Sequence, residues 1–325
     1  MKKRIIIGCL ALILMISTIF IVNQINNGND YGLRTIKVAE VAHSIFYAPF
    51  YVAIENGFFE EEGLKIELVF TPGAHNVTAA VLSGDVEIGF CGPEASIYVY
   101  NENVKDYVQT FAGLTKRDGQ FIVSRKKIDN FSMKDLEGKE VVAGRQGGMP
   151  ILNFMTAVKN ENLKNVKIND SIDFANLTSA FLSGTGDFVN LFEPNATKLE
   201  KEGFGYVVAS VGKYSGEVPY TAFNAKRSFI ISNPEVITGF RNAINKGIEF
   251  TINNDAETVS KAIINQFPDT SLNDLIIIVD RYKNADSWQD NVFISERLFN
   301  NLIEMMIDGG FIESTVPFKD LIINE

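Results

Sequence analysis

The sequence predicts an α/β protein built as two similar lobes, and three observations carry that expectation. Short β-branched runs alternate with helical patterns from Thr35 onward, the mark of βαβ units and a largely parallel sheet. The alternation occurs twice. "NVTAAVLSGDVEIGFCGPEA" from Asn76 and "NLTSAFLSGTGDFVNLFEPNA" from Asn176 agree at an offset of 100, with Asn, Thr, Ala, Leu, Ser and Gly recurring at 76/176, 78/178, 80/180, 82/182, 83/183 and 84/184. Finally, 325 residues are long for one compact core, so two lobes are the natural division.

In chain order, the first round reads as strand "TIKVAEV", a helix from Ala48, strand "LKIELVF", a helix over 74–83, strand "VEIGFC" and a helix from Glu94. The second reads as "KEVVAG", a helix from Pro150, "VKINDSI", a helix over 174–183, "DFVNLF" and a helix from Pro194. Gly84 and Gly184 supply the helix stops, since glycine adopts the left-handed turn that ends a helix at little cost. "YVVASVG" and "VPYTAFNAKRSF" read as return strands, and helices over 234–253, 256–266, 272–283 and 295–307 are expected to cover the first lobe's sheet. Residues 35–115 with 222–325 then form lobe I and residues 116–221 lobe II, with hinges near 113–119 and 210–221.

Residues 1–34 stand apart. "MKKR" precedes an uncharged run from Ile5 to Val22 and the polar linker "NQINNGND", the pattern of an export signal or an N-terminal membrane anchor. The body is therefore expected outside the cytoplasm, tethered to the membrane if the segment is kept. Beyond Val22, 27 basic residues face 40 acidic ones, a balance of −13. Such a body is a poor match for nucleic acid or an anionic lipid surface. Two cysteines, Cys9 and Cys91, and two histidines, His43 and His75, allow no disulfide framework beyond the leader and no His/Cys metal site. No metal and no cofactor are expected.

In open α/β sheets, ligands sit beyond the carboxyl ends of the strands, where loops enter helix N-termini. Applied to both lobes, the rule selects loops 42–49, 92–94, 144–150 and 192–194. "HSIFYAP" offers Phe46 and Tyr47 for stacking on a flat ligand, with His43 and Ser44 as hydrogen-bond partners. Packing of either ring on the following helix is the alternative. Glu94 and Glu193 hold near-equivalent stations and would favour amine donors or positive charge; each is also well placed to complement a helix dipole. "GRQGGMP" brings Arg145, Gly147 and Gly148, either as an anion cradle or as a tight turn before Pro150. Asp173, Phe174, Asn190 and Tyr220 complete the candidate set. There is no Gly-x-Ser-x-Gly elbow and no His-Glu-x-x-His, so binding is favoured over catalysis.

The wording of several segments is more specific than their periodicity. With its leader, "VAEVAHSIFYAPFYVAIENGFFEEEGLKIELV", "LSGDVEIGFCGPEA", "DLEGKEVVAGRQGGMP" and "NPEVITGFRNAINKGIEF", the chain resembles extracytoplasmic solute-binding proteins of ABC importers. The group is the one related to thiamine-pyrimidine synthases and to sulfonate, taurine and nitrate binders. The resemblance implies a type II periplasmic-binding-protein fold, two lobes closing on a small molecule, and delivery to a membrane permease driven by a separate ATPase subunit. For the ligand, rings beside carboxylates suit thiamine or its aminopyrimidine precursor, whereas sulfonate, taurine or nitrate need anion donors, of which the cleft loops offer only Arg145 as a charged one. Riboflavin belongs to the same range of alternatives. The related synthases imply an active-site histidine and a cysteine-rich iron motif, and this sequence has no such cysteine cluster. A membrane-tethered sensor would use the same cleft.

Overall fold

The computed structural model describes residues 32–144 and 147–325. The expected export signal or anchor (1–31 of the 1–34 segment) and the candidate Arg145 lie outside the described residues.

Ten strands are described: β1 (Arg34–Glu40), β2 (Leu64–Phe70), β3 (Ile88–Cys91), β4 (Val108–Thr115), β5 (Phe121–Ser124), β6 (Glu140–Val142), β7 (Lys167–Asn169), β8 (Phe188–Leu191), β9 (Tyr206–Ser210) and β10 (Thr221–Lys226). They form two five-stranded sheets, ordered β2-β1-β3-β10-β4 and β7-β6-β8-β5-β9. In each sheet three strands run parallel and the next lies antiparallel beside them. That antiparallel strand is reached across the boundary between the lobes: β5 enters the second sheet directly after β4 leaves the first, and β10 returns. Residues 116–120 and 211–220 are the two crossovers.

The sequence repeat is thus a structural one. β3 and β8 fall at the same offset of 100, and the helices before them, Ala74–Ser83 and Leu177–Leu182, both give way to a glycine of positive φ, +85° at Gly84 and +103° at Gly184. The match of "LSG" therefore marks two chains turning out of a helix in the same way, because a residue with a Cβ is disfavoured in that backbone region.

The core of the first lobe is aromatic. Phe90 and Phe223, side by side on β3 and β10, stack at 4.3 Å, and Phe50, Phe59, Phe111 and Phe240 close around them. The C-terminal helices Pro234–Asn253 and Ala256–Ile263 pack on the helix Ala48–Glu55, as the tail was expected to do. The helices Leu272–Asn284 and Glu296–Asp308 extend further than expected and touch the second lobe's helices Asn195–Lys201 and Met149–Asn160. The tail therefore ties the lobes together as well as covering one of them.

Candidate functional site

The loop after β1 explains its own aromatic content. Ser44 caps a short 3-10 turn, Ile45–Tyr47, by accepting the Phe46 N–H at 3.3 Å, and Pro49 then sits in the first turn of the helix Ala48–Glu55, where its missing N–H costs nothing. The turn drives Phe46 inward until it is fully enclosed, with Tyr47, Phe192, Tyr220 and Tyr282 at centroid distances of 5.1 to 5.7 Å. The indole N–H of Trp288 donates to the Phe46 carbonyl at 2.8 Å. In the first crossover, Gly119 lies flat against this ring: a Cβ there would stand 2.7 Å from the Phe46 ring carbons. Only glycine lets the crossover pass so close.

The described residues of the four loops selected from the sequence come together here. Phe46 comes from the first lobe and Phe192 from the second, and Phe192 continues to Phe174 at 5.5 Å, so an unbroken run of rings crosses the boundary. Phe174 keeps 47% of its surface exposed at the outer end of that run, and its ring lies 3.5 Å from where a Cβ on Gly144 would be. Gly147, at φ +106°, and Gly148, the N-cap of Met149–Asn160, form the turn into that helix. Asp173 occupies the N-cap position of the 3-10 turn Phe174–Asn176.

Glu94 is the first residue of the helix Glu94–Asn101 and is 3% exposed. Its carboxylate folds back over Gly92: a Cβ on Gly92 would fall 1.9 Å from Glu94 Oε2 and 2.8 Å from Met149 Cγ of the other lobe. Oε2 has no hydrogen-bond partner. Burial pushes the carboxyl up to about 7, against a weaker opposing bond from its own backbone N–H. Its charge acts on Tyr47, which packs edge-on to Phe90 at 4.5 Å, and on Tyr220. Asn190, fully buried on β8, likewise leaves both amide atoms without partners.

Two candidates are placed differently from expectation. Glu193 is no counterpart of Glu94: it precedes the proline of its loop where Glu94 follows one. Its Oε2 accepts the Thr197 N–H at 2.8 Å and its Oε1 pairs with Arg281, which also reaches Glu200 at 2.7 Å and Thr197 at 3.0 Å. The chain itself fills both oxygens, so Glu193 is a buried ion pair and cap. His43 also departs from the cleft set. It bonds to Glu40 at 2.8 Å and to the Gln266 carbonyl at 2.9 Å and lies against Tyr51 and Phe267, which clips the loop to the C-terminal helices. The bond to Glu40 raises its pKa despite partial burial.

One residue the sequence did not single out lies beside these groups. Asp118, in the first crossover, is fully buried; Oδ1 accepts the Gln120 N–H at 2.6 Å while Oδ2 has no partner. Burial pushes its carboxyl up to about 8. The Tyr220 hydroxyl is near enough to feel this carboxylate but makes no hydrogen bond of proper geometry, and burial together with Asp118 raises its pKa well above the usual tyrosine value. Asp118 lies in a polar stretch, "TKRDGQ", that reads as an ordinary solvated loop, so only the fold exposes its burial. Among the described residues, no cluster of His, Cys, Asp or Glu could hold a metal ion.

Comparison with known proteins agrees with this architecture. The chain is 39% identical over 296 residues to "Putative binding protein YtlA" of Bacillus subtilis (strain 168), covering 90% of this chain and 89% of that one. It is 25% identical over 308 residues to the formylaminopyrimidine-binding protein of Halalkalibacterium halodurans, covering 85% and 90%. Among solved structures, the periplasmic aliphatic sulphonate binding protein SsuA from Escherichia coli superposes with a TM-score of 0.69 at 14% identity, over 88% of this chain and 96% of that one. That likeness shows the fold, the two-lobed periplasmic-binding-protein fold expected from the resemblance. The family model described as NMT1/THI5 like matches residues 45–258, a stretch that runs from the first ring pair through the other three loops to the return strand and the long helix beyond it, and the chain belongs to that family.

Proposed function

We propose that this chain is the solute-binding component of an ABC importer, that it captures thiamine or its aminopyrimidine precursor outside the membrane, and that it hands the ligand to a permease driven by a separate ATPase subunit. It acts by binding, not by catalysis, in keeping with relatives whose names are those of binding proteins. The observation that carries the ligand reading is Glu94. A buried carboxylate oxygen with no partner, beside the Tyr47 ring at the junction of the two lobes, is a strong acceptor awaiting a donor. An exocyclic amine on a flat ring supplies that donor, and the ring can lie against an aromatic wall. The formylaminopyrimidine-binding relative supports the same choice.

In this reading Tyr47, Glu94, Asn190 and Tyr220 touch the ligand, with Gly147, Gly148, Asp173 and Phe174 at the rim. Phe46 braces them from behind. The protein stays at the outer face of the membrane, tethered through its N-terminal segment.

A thermal-shift panel tests the proposal: thiamine, 4-amino-5-hydroxymethyl-2-methylpyrimidine, taurine, nitrate and riboflavin. A ligand at a hundred times its Kd adds about 2.7 kcal/mol to stability. Thiamine or the aminopyrimidine is expected to raise the melting temperature. Stabilisation confined to taurine, nitrate or riboflavin overturns the ligand assignment.

A further inference from the structure

We infer that Asp118, on the crossover between β4 and β5, is a ligand-recognising residue at the floor of the cleft, and that with Glu94 it selects a ligand carrying two separate N–H donor groups or a cationic end. The inference rests on the binding reading above and specifies its ligand class.

A carboxylate oxygen buried without a partner is expensive, because water is removed and nothing replaces it. Asp118 shows this condition at one of its two oxygens, with the Tyr220 hydroxyl close by. It is 0% exposed, Oδ2 is unpartnered, and the neighbouring Gln120 side chain, also 0% exposed, leaves both of its amide atoms unpaired. The basic residues beside it do not relieve the charge. Lys116 turns away to Asp286 at 2.9 Å and Asp290 at 3.1 Å, and Arg117 to Glu217 at 3.1 Å and Asp286 at 3.3 Å. Arg281 is committed to Glu193 and Glu200. Among the described residues, neither Asp118 nor Glu94 has a cation as partner.

Asp118 shares its neighbours with the site. Gly119 supports the Phe46 ring, Tyr220 faces both Asp118 and Glu94, and Tyr282, which packs on Phe46, also lies within the field of Asp118. Asp118 and Glu94 thus act on one shared hydroxyl, that of Tyr220, from different elements: one from the crossover, the other from a helix N-terminus. Unpartnered hydroxyl, amide and carboxylate groups gathered behind one ring cluster are what a polar ligand would complete. Two acceptors held apart on separate elements discriminate against anions, and they reward a ligand with donors at both ends.

The test is calorimetric titration of the purified full chain and its Asp118→Asn variant with thiamine, the hydroxymethyl aminopyrimidine, choline, spermidine, ethanesulfonate and nitrate. Thiamine or the aminopyrimidine is expected to bind the native chain and to lose about tenfold or more in the variant. Equal binding to both chains, within twofold, overturns the role of Asp118 and leaves the aminopyrimidine reading standing. Binding of choline or spermidine alone, weakened in the variant, overturns the aminopyrimidine reading and keeps Asp118. Binding of the anions only, or of no probe, overturns both. Should the variant fail to fold, Glu94→Gln decides: its titrations at pH 7.5 in buffers of different ionisation enthalpy are expected still to show proton release on binding, from Asp118, and none would overturn the proposal.

Discussion

Glu94 and Asp118 are carboxylates that the fold isolates from both water and cations, and this has a defined consequence for stability. An unfolded chain ionises its carboxyls near pH 4, whereas in the folded, ligand-free protein Glu94 ionises at about 7 and Asp118 at about 8. Between those limits the native state binds more protons than the unfolded state, so stability falls as pH rises from about 4 to about 8, then levels off. His43, whose pKa is raised by Glu40, adds a loss of the same sign above its ordinary value. The lowered carboxyls of Asp106, Asp255 and Asp274 act only below about pH 4 and leave this window alone. Urea midpoints of the ligand-free protein are expected to drop between pH 5 and pH 8. In Glu94→Gln the part of the drop that Glu94 contributes between about pH 4 and about pH 7 disappears; a flat profile in the native chain contradicts the isolation of these groups.

At the scale of elements, the helix Leu272–Asn284 is fastened to the helix Asn195–Lys201 through Arg281, Glu193, Glu200 and Thr197, with Lys201 and Asp274 paired nearby. Glu193→Gln is therefore expected to lower stability by about 1.5 to 3 kcal/mol, read from urea unfolding, while leaving thiamine affinity within twofold. A large loss of affinity in a variant of native stability would return Glu193 to the binding set. The order of glutamate and proline already differs between the two loops, but the pairing that occupies Glu193 was not legible, because its partner stands 88 positions away on a helix whose reach across the lobes leaves no local trace. Local signals did serve elsewhere. The repeat, its glycine stops and the four loops were all legible, since each depends on neighbours in the chain. β4 was not: "VQTFAGLT" is buried at every position, so it lacks the alternation that marks a half-exposed strand, and β5 is only four residues long. The expected helix over 174–183 divides into a 3-10 turn and the helix Leu177–Leu182, and the last part of "VPYTAFNAKRSF" is the helix Arg227–Ser232 in place of strand.

For the whole molecule, two sheets of equivalent strand order, joined by two crossovers and braced by C-terminal helices, put two acidic groups and a run of rings at the junction of the lobes. Each lobe supplies part of the wall, so a ligand seated there would touch both lobes and favour their closed arrangement. The proposed selection of a flat, amine-bearing solute rests on the charge and donor pattern of this junction. Its most direct measurement is calorimetric titration of the native chain and Glu94→Gln with thiamine at pH 8, where Glu94 is mainly ionised. Binding to the native chain is expected, with a loss of about 1.5 to 3 kcal/mol in the variant. Undiminished binding in Glu94→Gln, or no binding of thiamine and its aminopyrimidine precursor beside clear binding of an alkanesulfonate, would contradict it.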